Sequence, residues 1–183
     1  MRGSLHPRLQ EIDGFLAERR VEVLTAVTSL PDAERVRTPP GAWSVAAILD
    51  HLRLTESSVS RLLHVTVSRL PEDGRKEETE TVSVLHQFDH GLLANRDRRL
   101  TAPSIVQPQT DIPLADALAG LHASRTSLQG SMREAAGIAL GNFTYPHPFF
   151  GQLDLYQWLV FLGLHESRHA CQIRELGATR FDP

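Results

Sequence analysis

The chain has 183 residues, a formal net charge of −3 and one cysteine. This length suits one domain with a sizeable core and is too short to favour two, so we expect a single domain over residues 1–183. The slightly acidic net charge argues against nucleic acid as a ligand, because proteins that bind nucleic acid carry a basic surface. No apolar stretch approaches the roughly 20 residues that span a bilayer, and no signal-peptide pattern is found. We therefore expect a cytoplasmic protein without membrane contact.

Four segments carry the 3.6-residue period of amphipathic helices. The first predicted helix covers about residues 7–30, and the Pro-rich turn at residues 38–41 blocks its propagation. Ser44 is well placed to cap the second helix. This helix has an apolar stripe on one side and should fade near residues 69–71, where a proline follows.

The connection between the second and third helices is long and weakly patterned. Charged side chains dominate residues 72–80 and predict a solvated loop, while residues 81–100 fit a short strand or a short helix equally well. Antiparallel neighbouring helices need only a few linking residues. This longer connection therefore predicts a crossover, which lets the third helix begin at the end of the bundle opposite a hairpin turn. The third helix is predicted over about residues 113–136.

The fourth helix follows an irregular stretch at residues 141–151 and ends at Gly177, a residue typical of the position after a helix C-terminus. Its stripe is apolar at both ends, but its middle contains His165, His169 and Gln172. A polar patch inside a helical core is costly unless partners or a metal ion satisfy it.

A metal site is predicted from three histidines. His165 and His169 are four residues apart, which puts two imidazoles one helical turn apart on one face. His51 lies three residues after Ile48, on the stripe of the second helix that should face the core. Imidazole is the commonest protein ligand for transition metals, so we expect the three side chains to converge. The alternative is a set of histidines satisfied by hydrogen bonds alone.

Other residues near these histidines have less specific roles. Gln172, one turn beyond His169, could hydrogen-bond a ligand or satisfy a buried polar neighbour. Trp43 is expected in the core or in a pocket wall. Asp50 should point away from its neighbour His51 and be solvated or cap a helix. Cys171, as the only cysteine, excludes an intramolecular disulfide and is predicted to be a buried structural thiol.

Several short motifs occur in an order that resembles the DinB-like superfamily, in particular the DinB/YfiT-like metal-dependent enzymes. The matching elements are Trp43-Ser44 with His51-Leu52, Asp97-Arg98, Ala102-Pro103 and Val106, His147-Pro148 with Gly151, and His165-Glu166-Ser167-Arg168-His169 with Gln172-Ile173. The resemblance spans nearly the whole chain. It implies an all-α fold, a four-helix bundle with a long crossover between the second and third helices, and a metal held by His51, His165 and His169.

The resemblance also implies a reaction class. Characterised relatives include S-transferases that use low-molecular-weight thiols and a mycothiol-dependent maleylpyruvate isomerase. Many members have a further histidine directly before the last ligand, where this chain has Arg168, so the role of that imidazole does not carry over. We expect a metal-dependent thiol S-transferase or hydrolase that acts on a small molecule, with a thiol as co-substrate in the first case.

Three nitrogen ligands leave at least one coordination position open, which is typical of catalytic metal sites. Zinc or nickel suits imidazole best, and iron and manganese stay open as alternatives. A bound cation lowers the pKa of a thiol or of water and so makes either a better nucleophile. The sequence does not separate thiol transfer from hydrolysis.

Two other functions are compatible with the same residues. Glu166 completes a His-Glu-x-x-His pattern, in which zinc proteases use the glutamate as a general base, although orienting an imidazole is the role we prefer. A non-catalytic, metal-binding, stress-related bundle is the other alternative, and it predicts no pocket beside the metal. A homodimer is expected in either case, through exposed apolar helix faces. His147 is predicted to be a turn residue bonded to the backbone, with a place in the substrate pocket as the alternative.

Overall fold

The computed structural model describes residues 5–38, 40–88, 91, 93 and 101–178. This part of the chain is mostly helical, which confirms the predicted class. Its α-helices are α1 (Pro7–Thr28), α2 (Asp32–Val36), α3 (Val45–Ser68), α4 (Leu114–Glu134) and α5 (Leu155–Ala178). Two short strands, β1 (Thr144–His147) and β2 (Gly151–Asp154), form an antiparallel hairpin. None of the described helices has the length and apolar character needed to cross a membrane.

The helix ends follow the local signals in the sequence. Ser44 accepts a hydrogen bond from the backbone N–H of Ala47 at 3.2 Å, so the predicted cap of α3 is confirmed. Pro7 begins α1, where its missing N–H costs nothing. The short helix α2, which was not predicted, lies in the turn between α1 and α3.

The connection from α3 to α4 contains three 3₁₀ turns but no strand among its described residues. Its predicted solvated loop is tied to the fold instead. The N–H of Glu78 donates to the carbonyl of Gly137, and its buried carboxylate accepts from Arg8 at 3.0 Å and from the hydroxyl of Tyr156 at 2.7 Å. The solvated-loop prediction is therefore wrong at Glu78, because a distant arginine compensates its charge. The Asp97-Arg98 motif lies outside the described residues.

The long helices pack in two main pairs, α3 against α4 and α1 against α5, and α3 also contacts α5. Gly163 allows the second pair to approach closely, since a Cβ atom there would lie 2.3 Å from the ring of Phe15. Each long helix contributes to two separate apolar clusters. One contains Leu16, Val59, Leu128 and Leu162, and the other contains Val23, Leu52, Leu121 and Ala170.

The hairpin occupies most of the stretch that was predicted to be irregular. His147 pairs with Gly151 at its closed end, and Gly151 adopts a positive φ of 72° that favours glycine. The strands are only four residues long and one contains Pro146, so they carry no clear alternating pattern. This hairpin leads directly into α5 and places His147 beside the histidines of that helix.

Candidate metal centre and adjoining cavity

The three predicted ligands lie together. His51 extends from α3, and His165 and His169 extend from α5. The Nε2 atom of His165 is 3.2 Å from Nε2 of His51 and 3.0 Å from Nε2 of His169. All three ligand atoms lie within 4.8 Å of one another. The spacing along the two helices thus produces a compact group of imidazole nitrogens.

The opposite ring nitrogens are fixed by hydrogen bonds. Nδ1 of His51 is 2.7 Å from the carbonyl oxygen of Val106, and Nδ1 of His169 is 2.8 Å from Oε1 of Gln172. These oxygens only accept, so both Nδ1 atoms donate. In the neutral rings, the Nε2 atoms then carry lone pairs that point toward His165. A hydrogen bond from the far nitrogen to a carbonyl or amide oxygen is the usual support of a metal-ligating histidine.

These nitrogens fit a metal ion better than they fit one another. A proton on Nε2 of His165 can make a hydrogen bond to only one of the two Nε2 lone pairs that face it. A cation between the rings can be bound by the Nε2 lone pairs of all three histidines. Tetrahedral zinc with bonds of about 2.0–2.1 Å places its nitrogen donors roughly 3.3 Å apart, close to the two distances from Nε2 of His165. Burial, together with the neighbouring His169 and His51, lowers the pKa of His165 well below its usual value, and burial lowers that of His51. Both rings are therefore neutral near pH 7, as ligands must be.

Asp50 holds the segment that contains Val106. Its carboxylate accepts from the backbone N–H of Gln109 at 2.9 Å and from Nε of Arg53 at 2.8 Å. Asp50 is fully buried, so its predicted solvated or capping role is wrong; it anchors a loop instead. This anchor lies next to His51 in sequence and keeps the Val106 carbonyl on the Nδ1 atom of that histidine.

The three histidines line a cavity of about 210 Å³. Its described lining contains no Asp, Glu, Lys or Arg side chain. Trp43 packs on the His51 ring with centroids 4.9 Å apart, and Phe161 stacks on the His165 ring at 5.2 Å. The wall that surrounds the candidate ligands is therefore aromatic and apolar, and it limits the access of water to them.

The sequence comparisons agree with this arrangement. The family model of the DinB superfamily matches residues 16–173. The chain belongs to the DinB superfamily. It is also 28% identical over 164 residues to the uncharacterized protein YuaE of Bacillus subtilis (strain 168), and this match covers 87% of the chain and 93% of the relative. No solved structure gives a significant match. DinB-like proteins are commonly metal-dependent, which is consistent with three histidines in close proximity.

In this DinB superfamily member, His147 is both a turn residue and part of the cavity wall. Its Nδ1 atom accepts from the backbone N–H of Phe149 at 3.1 Å. The neutral ring therefore carries its proton on Nε2. Burial lowers the pKa of His147 to about 4, so the ring is uncharged near pH 7. The predicted turn contact to the backbone is therefore present, and a place in a substrate pocket stays a prediction.

Glu166 lies outside this cavity, although it directly follows His165. Its carboxylate is buried, and Oε1 accepts from Nη2 of Arg20 at 2.6 Å and from Nη2 of Arg125 at 3.0 Å. Burial raises the pKa of Glu166, while the two arginines oppose that shift. These contacts do not support a general-base role, because two arginines hold Oε1 and the residue does not line the cavity. Among the described residues it also makes no hydrogen bond to a histidine.

Sequence reasoning missed the network to which Glu166 belongs. Glu56 on α3 accepts from Nη2 of Arg20 at 3.0 Å, from Nε of Arg125 at 2.6 Å and from the hydroxyl of Ser124. Glu56 and Glu166 together raise the pKa of Arg20, although burial opposes them. Two arginines and two glutamates thus form a neutral, buried layer to which each long helix contributes. We call this group of four, with Ser124, the ion layer.

One further prediction about this region is wrong. Cys171 is exposed rather than buried, because the helix step that turns it away from His169 turns it toward solvent. Two other contributors to the site were also missed. The Val106 carbonyl is a main-chain group with no sequence signal of its own, and the anchoring bond of Asp50 joins residues 59 positions apart.

Proposed function

We propose that this protein is a metal-dependent enzyme that acts on a small molecule, with His51, His165 and His169 as the metal ligands. The observation that carries the proposal is the convergence of three imidazole Nε2 atoms in the wall of a cavity. Two of these rings have their Nδ1 atoms bonded to oxygen acceptors, so Nε2 is the ring atom that carries a lone pair for a metal ion. A group of histidines satisfied only by hydrogen bonds does not require three Nε2 atoms to face one another.

A zinc or nickel ion suits three neutral imidazoles best. When bound, a divalent ion supplies a Lewis acid with an open position, which lowers the pKa of a thiol or of water. The residues of the chain have separate tasks. Val106 and Gln172 fix the ring orientation of two ligands, and the aromatic wall with Trp43 and Phe161 restricts water.

Two reaction classes agree with this site. In one, a low-molecular-weight thiol is transferred to an electrophilic carbon of a second substrate. In the other, water attacks the substrate and the reaction is a hydrolysis. The family supplies this choice by analogy, and the same ligands and cavity serve both.

The remaining features of the proposal concern the architecture. We propose that α1, α3, α4 and α5 form a four-helix bundle of the DinB/YfiT-like type, with the crossover between α3 and α4. The two pairs of packed helices and the ion layer that links all four support it. A single domain over residues 1–183, a homodimer and a cytoplasmic location complete the proposal.

The non-catalytic, metal-binding bundle is the second candidate. It predicts the same ligands but no cavity beside them, so the cavity that contains all three histidines favours the enzyme. The zinc-protease alternative requires Glu166 as a general base at the metal. The ion pairs of Glu166 with Arg20 and Arg125 argue against it.

The test is metal content by inductively coupled plasma mass spectrometry, on protein purified without an affinity metal column. We expect about one equivalent of a transition metal in the wild type and its loss in His51→Ala, His165→Ala and His169→Ala. His64→Ala is the matched control, because that histidine is exposed and pairs with Glu134 away from the cavity. Wild-type protein that stays free of metal after reconstitution would refute the proposal. Thiol-transfer and ester-hydrolysis screens on the metal-loaded protein then separate the two reaction classes.

A further inference from the structure

We propose that the wall of the cavity takes one uncharged aromatic ring of a small molecule, and that His147 donates a hydrogen bond to an acceptor on this molecule. The proposal deepens the proposed function and rests on it, since the cavity is where the substrate would meet the metal. It concerns the class of substrate, which the ligand set alone does not define.

The chemistry of the wall favours an uncharged guest. The described lining combines aromatic and aliphatic side chains with the candidate ligands and has no ionised group. An ionised group that packed against this wall, away from the position of the metal, would lose its hydration without meeting an opposite charge on a described side chain, and that loss is costly. Two hydroxyl groups in the wall are already engaged, because Thr55 donates to the carbonyl of His51 and Ser58 to that of Leu54.

The size of the cavity limits the guest to about one ring. An engineered apolar cavity of about 150 Å³ binds benzene, so a cavity of about 210 Å³ admits a ring with a small substituent. Larger sites for drug-sized ligands begin at about 300 Å³. The larger part of a tripeptide thiol would therefore lie outside this space when a second substrate occupies it.

Two exposed apolar residues accompany the cavity. Ile105 is 75% exposed and Phe149 is 39% exposed, and both belong to its lining. Large apolar side chains at the surface cost solvation unless they contact something apolar. Their position at this cavity suits the entry of an apolar ring.

His147 supplies a polar contact within this wall. Its Nδ1 atom is used by the backbone of Phe149, so Nε2 carries a proton for donation. The ring is held between Phe150, Trp158 and Phe161, with centroid distances of 4.6, 4.8 and 4.6 Å. A donor fixed in this way can orient a carbonyl or similar acceptor without bringing a charge into the cavity. His147 would thus be a positioning residue for the substrate.

The test uses benzamide, benzoate and toluene as probes of nearly equal size. Both tryptophans of the chain, Trp43 and Trp158, line the cavity, so intrinsic fluorescence reports its occupation. We expect protein that a chelator has freed of metal to bind benzamide at least tenfold more tightly than benzoate, because a bound cation would attract the benzoate carboxylate. We expect His147→Phe to weaken benzamide binding roughly three- to tenfold and to leave toluene binding unchanged, because one neutral hydrogen bond is lost. His147→Gln keeps a donor and should recover part of the benzamide affinity.

His64→Phe is the control variant and should bind all three probes as the wild type does. Equal affinity of the metal-free protein for benzoate and benzamide, or equal loss of toluene and benzamide binding in His147→Phe, would overturn the proposal. Metal content is measured on the same samples. Benzamide binding by protein that cannot hold metal would refute the proposed function but leave the cavity assignment intact. Metal-loaded protein that binds none of the probes would refute the cavity assignment and leave the proposed function intact.

Discussion

Removal of one charge from the ion layer should destabilise the protein strongly. Glu56→Gln keeps the size of the side chain and one oxygen acceptor but removes its charge. Arg20 and Arg125, which both donate to this carboxylate, would then share Glu166 as their remaining partner within the layer. The layer would carry a net positive charge in a region where Glu56 is 3% and Arg125 11% exposed at the side chain.

The expected magnitude follows from this burial. The loss of one partner from a buried ion pair costs about 3–5 kcal/mol, because the remaining charge is not compensated. An exposed pair is worth about 0–1 kcal/mol. Glu134→Gln provides that comparison, since Glu134 pairs with His64 and both side chains are more than half exposed.

The assay is equilibrium unfolding in urea, followed by circular dichroism at 222 nm. We expect Glu56→Gln to lower the free energy of unfolding by about 3–5 kcal/mol and Glu134→Gln to lower it by less than about 1 kcal/mol. Combining Glu56→Gln with Arg125→Met restores neutrality, so the double variant should lose less stability than the sum of its single variants. A Glu56→Gln protein within about 0.5 kcal/mol of the wild type would show that the layer is not energetically coupled.

Three further predictions concern packing, pH and metal. Gly163→Ala should lower the free energy of unfolding in urea by about 1–3 kcal/mol, because its Cβ would clash with Phe15. A Cβ at Gly14 meets open space, so Gly14→Ala should be neutral or stabilising. Equal effects of the two substitutions would contradict this packing. The pKa of His147, lowered to about 4 in the folded state, means that the unfolded chain binds its proton first, so the melting temperature should fall as the pH drops from 6.5 toward 4. The melting temperature of His147→Phe should fall less steeply with pH. An identical slope in the variant and the wild type would refute the role of the His147 pKa in this fall. Chelation should lower the melting temperature of the wild type but not of His51→Ala, and an equal shift in both would point to a site elsewhere.

The helices and the proximity of the three histidines could be predicted because their signals are local. The 3.6-residue period defines the long helices, and the four-residue spacing of His165 and His169 is itself a helical contact. The position of His51 followed from its place on an apolar stripe. Each of these arguments needs only residues on the same element.

The ion layer was not predicted because charged residues are usually exposed, so a charged side chain does not by itself indicate a core position. The pattern did contain a signal. Arg20 lies between Leu16 and Val23 of the apolar stripe of α1, and Glu56 lies between Leu52 and Val59 of α3, at the same four- and three-residue offsets. A charge at a core-facing position of every long helix, with the signs balanced, predicts mutual pairing.

The hairpin and the loop contacts could not be predicted in this way. Strands of four residues, one with a proline, are too short for a period to appear. The hydrogen bond between His51 and Val106 joins a side chain to a backbone carbonyl 55 positions away, and the residue type at position 106 does not predict such a partner. Long-range contacts of this kind depend on how the chain returns after the helices have packed.

The ion layer also restricts how the helices can be aligned lengthwise. Apolar side chains tolerate a shift of one helix past another, since one aliphatic contact replaces the next. A shift by one turn, about 5.4 Å, would separate the guanidinium groups from their carboxylates and leave buried charges alone. Glu166 directly follows His165, and Glu56 lies five residues after His51 on the other ligand-bearing helix. We therefore expect the same charges that resist sliding to set the relative heights of His51 and His165, so that the distance between these two histidines is controlled by residues that lie outside the cavity.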